Sequence, residues 1–336
     1  MPETRRDRER RVGRRRRTVV PRTSQAVWEP PGDRPDPIAV LDAENAGRIP
    51  SLVPVRWGRM LESPFAFMRG AAGLMAADLA HTPSTGLHVQ LCGDAHMANF
   101  GVFASPERRL LFDVNDFDET TPGPWEWDLK RLAASAVVIG RVSGIAPEDQ
   151  SAAAHAVARA YRRHMARFAG MGVLEVWYER VDAKAALRTI GRRAPVRSVV
   201  AGARRQTSQA ELPKLTVRTD GGRRRIVDHP PLVSHDGIEE HSQIVQSVLP
   251  KYAATLESDR RALLERFELV DLASKVVGVG SVGTRCFVAL YMSDIGDPLF
   301  LQVKEAGRSA VAPWVPRRPG RAGSGPGSVR PVPAPP

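Results

Sequence analysis

The stretch KVVGVGSVGTRCFVALYMSDIGDPLFLQVKEA, residues 275–306, constrains the fold more than any other part of the chain. Gly278, Gly280 and Gly283 spell G-x-G-x-x-G. In a dinucleotide-binding unit those glycines open a helix, and an acid follows about twenty residues later. Here the next residues, TRCFVALYM, are β-branched and aromatic and read as a strand. A turn at Ser293 to Pro298 and a second strand, LFLQVKE, follow. A strand, a loop over Gly278, Gly280, Ser281 and Gly283, then two strands ending at Lys304 is the kinase arrangement. There the loop covers ATP phosphates and the lysine reaches the α- and β-phosphates. Antiparallel pairing is expected to bring Lys304 back to about Phe287, near the loop. A plain glycine-rich β-hairpin satisfies the same pattern.

A second constellation lies upstream, in LCGDAHMANFG (residues 91–101) and FDVNDFDE (residues 112–119). Asp94-x-x-x-x-Asn99 is the spacing of a kinase catalytic loop, in which the Asp accepts the substrate hydroxyl proton and the Asn holds Mg²⁺. Gly93 and Gly101 free the backbone to turn both side chains into one pocket. A hairpin is expected next: FGVF, a turn around ASPERR, then LLFDVNDFD. Alternation puts Phe112, Val114 and Asp116 on one face of its second strand and Leu111, Asp113 and Asn115 on the other. Oxygen ligands in so acidic a site suit Mg²⁺ or Mn²⁺, with Asp116 the first choice as metal acid and Asp113 its rival. A metal-dependent hydrolase built on Asp94, His96, Asp113 and Asp116 is the alternative enzyme, and would make His96 essential. An exposed turn with a solvated acidic loop, in a catalytically inactive binding or scaffold protein, is the plainest alternative.

The net charge of +12 suggests nucleic acid until it is located. Residues 1–17 carry nine Arg against three acids and residues 306–336 five Arg and no acid, so +6 and +5 of the +12 sit at the ends. The body is close to neutral, which argues against a nucleic-acid face there. The Arg-rich start, residues 1–20, is expected to be disordered by self-repulsion, and could touch nucleic acid or an anionic surface through phosphate contacts. A solvated leader or an overcalled start is the bland reading. Two cysteines, Cys92 and Cys286, make neither a disulfide framework nor a metal spacing, which points to a reducing compartment. No apolar run approaches membrane length and no apolar segment backs the N-terminal charges, so the expected location is cytoplasmic.

Residues 21–270 read as mainly helical around the hairpin at 91–119. Residues 30–54 are Pro-punctuated and expected to be extended. A helix should start at Ser63 as N-cap with Pro64 in its first position. WDLKRLAASAVVIGR has Leu129, Leu132, Ala133, Ala136 and Val137 on one face, with Lys130, Arg131 and Arg141 elsewhere. Another helix covers residues 147–168, where His155 and His164 read as surface or packing residues. Residues 180–235 are basic and irregular apart from a hairpin turning at Asp220-Gly221-Gly222, and 237–270 are helical with a break expected at Pro250. Residues 271–305 form the Gly-rich-loop β segment. From Ala306 onward eight Pro and five Gly among 31 residues leave nothing to fold, the composition of a flexible tail or of a GC-rich gene read out of frame.

The segments RWGRMLESPFAFMRGAAGLMAADLA, LCGDAHMANFG, FDVNDFDETTPGPWEWDLKRLAAS and VVGVGSVGTRCFVALY…PLFLQVKEA together resemble the bacterial family known as domain of unknown function 2252, over about residues 20–305. The family's central motifs are similar to those of aminoglycoside-phosphotransferase and protein-kinase-like proteins. GDAHMAN, NDFD and DLKRL stand where those have a GD…N loop, an acidic strand and a helix start. The resemblance implies an α+β kinase-like fold, circularly permuted, with the catalytic-loop lobe ahead of the Gly-rich β lobe. It implies Asp94 as base, Asn99 and Asp116 as Mg²⁺ ligands, Lys304 and the loop as phosphate holders, and Asp128 as an acid bracing the loop. His96 would then be supporting and replaceable. ATP and Mg²⁺ are the implied cofactors and an unknown small-molecule or protein hydroxyl the partner. Relatives continue past QVKEA into further helical sequence, so a C-terminal truncation is expected. Glu305 adjoins Lys304 and points to the other face, where it cannot serve as the lysine's partner.

Overall fold

The computed structural model describes residues 3–183, 185, 186, 202 and 207–316, and only the backbone of 239–242. The middle of the expected irregular region, and residues 317–336 of the expected tail, lie outside the described residues. The architecture is mixed α and β, and the chain folds as two units. One comprises residues 1–46, 60–189 and 307–336, the other 47–59 and 190–306.

In the first unit a two-stranded antiparallel ribbon pairs β1 (His88–Leu91) with β4 (Thr121–Pro124). Between them β2 (Phe100–Ala104) pairs β3 (Leu110–Val114), the hairpin that alternation predicted, with Gly101 opposite Asp113. Asp116 lies beyond the end of β3, in the loop to β4, and not at the end of its apolar row. Helices Glu126–Val142 and Pro147–Phe168 follow. Ala72, Ala76, Leu79, Leu91, Trp127 and Val311 form the buried core of this unit.

Four expectations for this unit are corrected. The Arg-rich start is a helix, Arg5–Val19, because Thr4 and Asp7 close a reciprocal capping box and Arg is a good helix former. Residues 30–54 are not extended throughout: Asp36 accepts from Ala39 N–H and Pro37 opens helix Pro37–Asn45. Ser63 caps as expected, accepting from Ala66 N–H at 3.1 Å, but the helix stops at Arg69 and restarts as Ala72–Ala80. Gly70 sits at the break because a Cβ there would lie 2.7 Å from Met60 Sδ. Finally, residues 307–316 are folded into the unit, with Val311 2% exposed, Trp314 and Val315 against the same core, and a 3-10 turn at Ala312–Trp314. Apolar residues at 311, 314 and 315 are a helical spacing within that Pro-rich text.

The second unit holds an antiparallel hairpin, β5 (Thr216–Arg218) with β6 (Arg224–Ile226), turning at the expected glycines. Its main sheet has β7 (Val233–Ser234), β8 (Phe267–Lys275), β9 (Cys286–Ser293) and β10 (Pro298–Lys304) in the order β10-β9-β8-β7. All pairs are antiparallel. Period-two alternation sends Leu272, Phe287, Ala289 and Tyr291 into one cluster with Val245 of helix Ile238–Thr255. Ala273 and Leu290 take the opposite face with Leu212 and Ile226. The helix runs through Pro250 without the expected break, and a second helix, Ser258–Leu264, precedes β8.

Candidate functional site

The acidic loop is built from its backbone outward. Gly93 leaves β1 with φ +80°, and a Cβ there would overlap the Glu119 carbonyl, so glycine is required on both counts. Asp128, in the first turn of its helix, accepts from the N–H of Cys92 at 2.8 Å and of Gly93 at 3.0 Å. Asn99 closes the other side. Its Nδ2 donates to the carbonyls of Asp94 at 3.1 Å and Asp116 at 3.0 Å, while its Oδ1 accepts from Asp116 N–H at 2.9 Å. One buried carboxamide therefore ties the main chain at Asp94 to the main chain at Asp116. Ser135 of the same helix as Asp128 adds an acceptor for Met97 N–H at 3.0 Å.

Arg131 is the residue that periodicity placed wrongly. Expected on the polar face of its helix, it is 2% exposed. Its Nε donates to Asp94 Oδ1 at 2.8 Å, and its Nη2 donates to the same oxygen and to the Met68 carbonyl at 2.8 Å. On the other oxygen, His96 Nε2 lies 3.3 Å from Asp94 Oδ2. The His96 ring packs edge-on against Phe65, and its Nδ1 is buried without a partner. Nε2 is thus the ring nitrogen that faces the carboxylate. Burial alone would raise the Asp94 pKa, but the His96 hydrogen bond and the Arg131 charge outweigh it and hold the carboxyl below its ordinary value. Asp128 goes the other way, its pKa raised because burial outweighs its two backbone hydrogen bonds. Burial and then the Asp128 charge push the Cys92 thiol up to about 12, so it stays protonated.

Asp116 is partly exposed, and its Oδ1 accepts a long bond from Asp118 N–H at 3.4 Å. Asp113 is exposed on β3 and accepts from its neighbour Val114 N–H at 2.8 Å. No group of three or more His, Cys, Asp or Glu able to hold a metal ion occurs among the described residues. Asp94 and His96 are in contact, and Asp113 stands on the exposed face of β3. Sequence reasoning also missed Glu119, whose Oε2 accepts from Ala310 N–H at 2.6 Å and whose carbonyl accepts from Ser309 Oγ at 2.8 Å. Those bonds lash residues 309–311 to the acidic loop.

In the second unit the Gly-rich segment is a strand-to-strand loop, with Gly278 at φ +56° and Gly283 at φ +90°. Two arginines take its carbonyls: Arg48 Nη1 donates to Gly280 at 2.8 Å and Val282 at 2.5 Å, and Arg59 Nη1 to Gly278 at 2.6 Å. Ile49 N–H donates to the Gly283 carbonyl at 2.8 Å, and Val282 is fully buried. Ser281 sits in the same turn, its carbonyl accepting from Thr284 Oγ1 at 2.9 Å. This is a fastened loop and not a loose flap. Lys304 pairs with Cys286 and Val303 with Phe287, one residue from the expected register. Glu305 is held by Arg285, Oε1 to Nη1 at 3.0 Å.

With both sites described, comparison with known sequences places the chain. The profile of a family described as an uncharacterized protein conserved in bacteria (DUF2252) matches residues 48–326, well over half of the sequence. The chain belongs to this family. The match begins later than the resemblance suggested and runs past residue 305 into the Pro-rich segment, through the residues that Glu119 holds. No curated protein and no solved structure matches the chain. Among the described residues no helix is long and apolar enough to cross a membrane.

Proposed function

We propose that the chain is a Mg²⁺- and ATP-dependent phosphotransferase acting on a hydroxyl, with a kinase-like fold whose parts occur in permuted order. The observation that carries this reading is the Asn99 carboxamide. In a D-x-x-x-x-N catalytic loop the Asp is the base and the Asn belongs with the metal-binding acid. Here the Asn99 carboxamide bonds the main chains of Asp94 and Asp116 alike, which joins the backbone of the proposed base to that of the proposed metal acid. The donor set fits the ion. Mg²⁺ keeps several waters and is bound by one or two carboxylates plus substrate phosphates, so it needs no three-carboxylate cage. Asp116 would hold it, with the second lone pair of Asn99 Oδ1 beside it.

Bound Mg²⁺·ATP would supply the transferable phosphoryl group and neutralise its charge. The protein's own work is positioning, because the transition state is loose and asks little covalent chemistry of the enzyme. Asp94, kept ionised by Arg131 and His96, accepts the acceptor hydroxyl's hydrogen bond and then its proton at Oδ2. Asp128 and Asn99 hold the loop that carries it. Lys304 and the Gly278–Gly283 loop take the phosphates, the loop's carbonyls being turned to Arg48 and Arg59. Such a reaction belongs in the cytoplasm, in keeping with cysteines at 92 and 286 that are not joined in a disulfide. Titration calorimetry with ATP tests the reading. Heat of binding that requires Mg²⁺ and is lost in Asp116→Asn is expected; Mg²⁺-independent binding, or binding unchanged in Asp116→Asn, refutes it.

A further inference from the structure

The helix Arg5–Val19 stands outside the matched residues 48–326, and the proposed reaction makes no use of it. Nine of its fifteen residues are arginine, and none is buried. Two arginines fasten it to its own unit: Arg6 Nη2 donates to the Met171 carbonyl at 3.0 Å, and Arg16 Nη1 donates to the Thr85 carbonyl. Two others face acids of the same segment, Arg5 to Glu9 at 2.8 Å and Arg11 to Glu3 at 3.3 Å. Arg8, Arg14, Arg15 and Arg17 make no side-chain hydrogen bond or ion pair among the described residues, and all four are exposed. At 100° per residue Arg8 and Arg15 fall in one row, and they and Arg14 are turned about 120–140° from the midline of the anchored Arg6 and Arg16, while Arg17 continues the row of Arg6 toward the end of the helix.

We propose that this helix is a docking rod for the phosphate backbone of duplex DNA. Four unneutralised guanidiniums on a helix of about 22 Å call for a polyanion with closely spaced charges, and duplex DNA carries one per about 1.7 Å of axis. Guanidinium forks match phosphate oxygens two at a time. A helix 10–12 Å across enters the B-form major groove, roughly 12 Å wide, whereas the deep and narrow major groove of A-form RNA does not admit it. A bilayer surface is the poorer match. Interfacial helices bury an apolar face, and the large apolar residues here are only Val12 and Val19, 47% and 76% exposed. The contacts are to phosphate, so the binding is blind to sequence.

The test is fluorescence anisotropy of the full chain on a labelled 20-base-pair duplex across a salt series. One variant carries Arg8, Arg14, Arg15 and Arg17 all changed to Gln, which spares the Thr4–Asp7 cap and the Arg6 and Arg16 anchors. A control changes Arg141, Arg159, Arg162 and Arg163, exposed on the helices of the same unit, to Gln. Each phosphate contact contributes about 0.9 to the slope of log affinity against log salt, so the first variant should flatten it by about 3.6. The control should leave the slope unchanged. Equal loss in both variants, an unchanged slope in the first, equal affinity for an A-form RNA duplex, or binding to anionic phosphatidylserine vesicles but not DNA would each overturn the proposal. Circular dichroism of the first variant confirms that the helix persists. ATP binding is read separately and does not depend on these residues.

Discussion

Changing Arg131 to Met removes the cation that neutralises Asp94 while roughly filling its volume. Arg131 is 2% exposed and gives Asp94 Oδ1 two donors, leaving His96 as the carboxylate's remaining partner. Breaking a buried ion pair by deleting one partner costs about 3–5 kcal/mol, because the other charge stays behind uncompensated. The Asp94 side chain is 20% exposed, which puts the expected loss near the lower end, about 3 kcal/mol. The Met68 carbonyl loses a donor as well. Urea unfolding followed by the fluorescence of buried Trp127 measures the loss in the unit concerned. The double variant Arg131→Met with Asp94→Leu should recover to within about 1–2 kcal/mol of the native chain, since no buried charge remains. The pH dependence has a definite sign. The folded pKa of Asp94 is lowered, so its contribution is present above the ordinary carboxyl value, about 4, and is lost as pH falls through the lower folded value. The gap between native and Arg131→Met should therefore narrow below about pH 4. A loss under about 1 kcal/mol with a pH-independent gap would refute the buried-pair argument.

Two further substitutions probe the frame around that pair. Asp128→Asn keeps one acceptor for two backbone donors, Cys92 and Gly93 N–H, and should cost about 1–3 kcal/mol in the same denaturation assay. Because the folded pKa of Asp128 is raised, native stability should decline as pH climbs from the ordinary carboxyl range to that value. The decline should be absent in the variant. Val311→Ala removes two methyl groups from a site 2% exposed among Leu91 and Trp127, and should cost about 2–3 kcal/mol by thermal or urea unfolding; a neutral result would mean that residues 309–315 are not part of the core.

What the sequence disclosed follows from the range over which each interaction acts. The Ser63 cap, the hairpin around residues 105–109 and the turn at Gly221-Gly222 depend on neighbours a few residues away, and all were readable. The strand after the Gly-rich loop was readable from β-branched composition, which excluded a dinucleotide helix. Arg131 was not, because helical periodicity assumes that charge faces water, and its partner Asp94 is 37 residues away. Arg48 and Arg59 clamp the Gly-rich loop from 219 to 234 residues upstream through carbonyls that no composition reveals. The N-terminal helix was missed because charge repulsion was weighed and the Thr4–Asp7 cap was not. The Pro-rich text hid Val311, whose burial depends on core residues between Ala72 and Trp127, far earlier in the chain.

The phosphotransferase reading rests on Asp116 as the Mg²⁺-binding acid and on His96 as support, and thermal unfolding with and without Mg²⁺·ATP separates those roles. At a ligand concentration a hundred times Kd, mass action adds about 2.7 kcal/mol, a rise of roughly 5–10 °C for a domain of this size. The account predicts that rise in the native chain, its loss in Asp116→Ala and its survival in His96→Ala. A cooperatively unfolding native chain with no rise, or a rise abolished by His96→Ala and spared by Asp116→Ala, would contradict it.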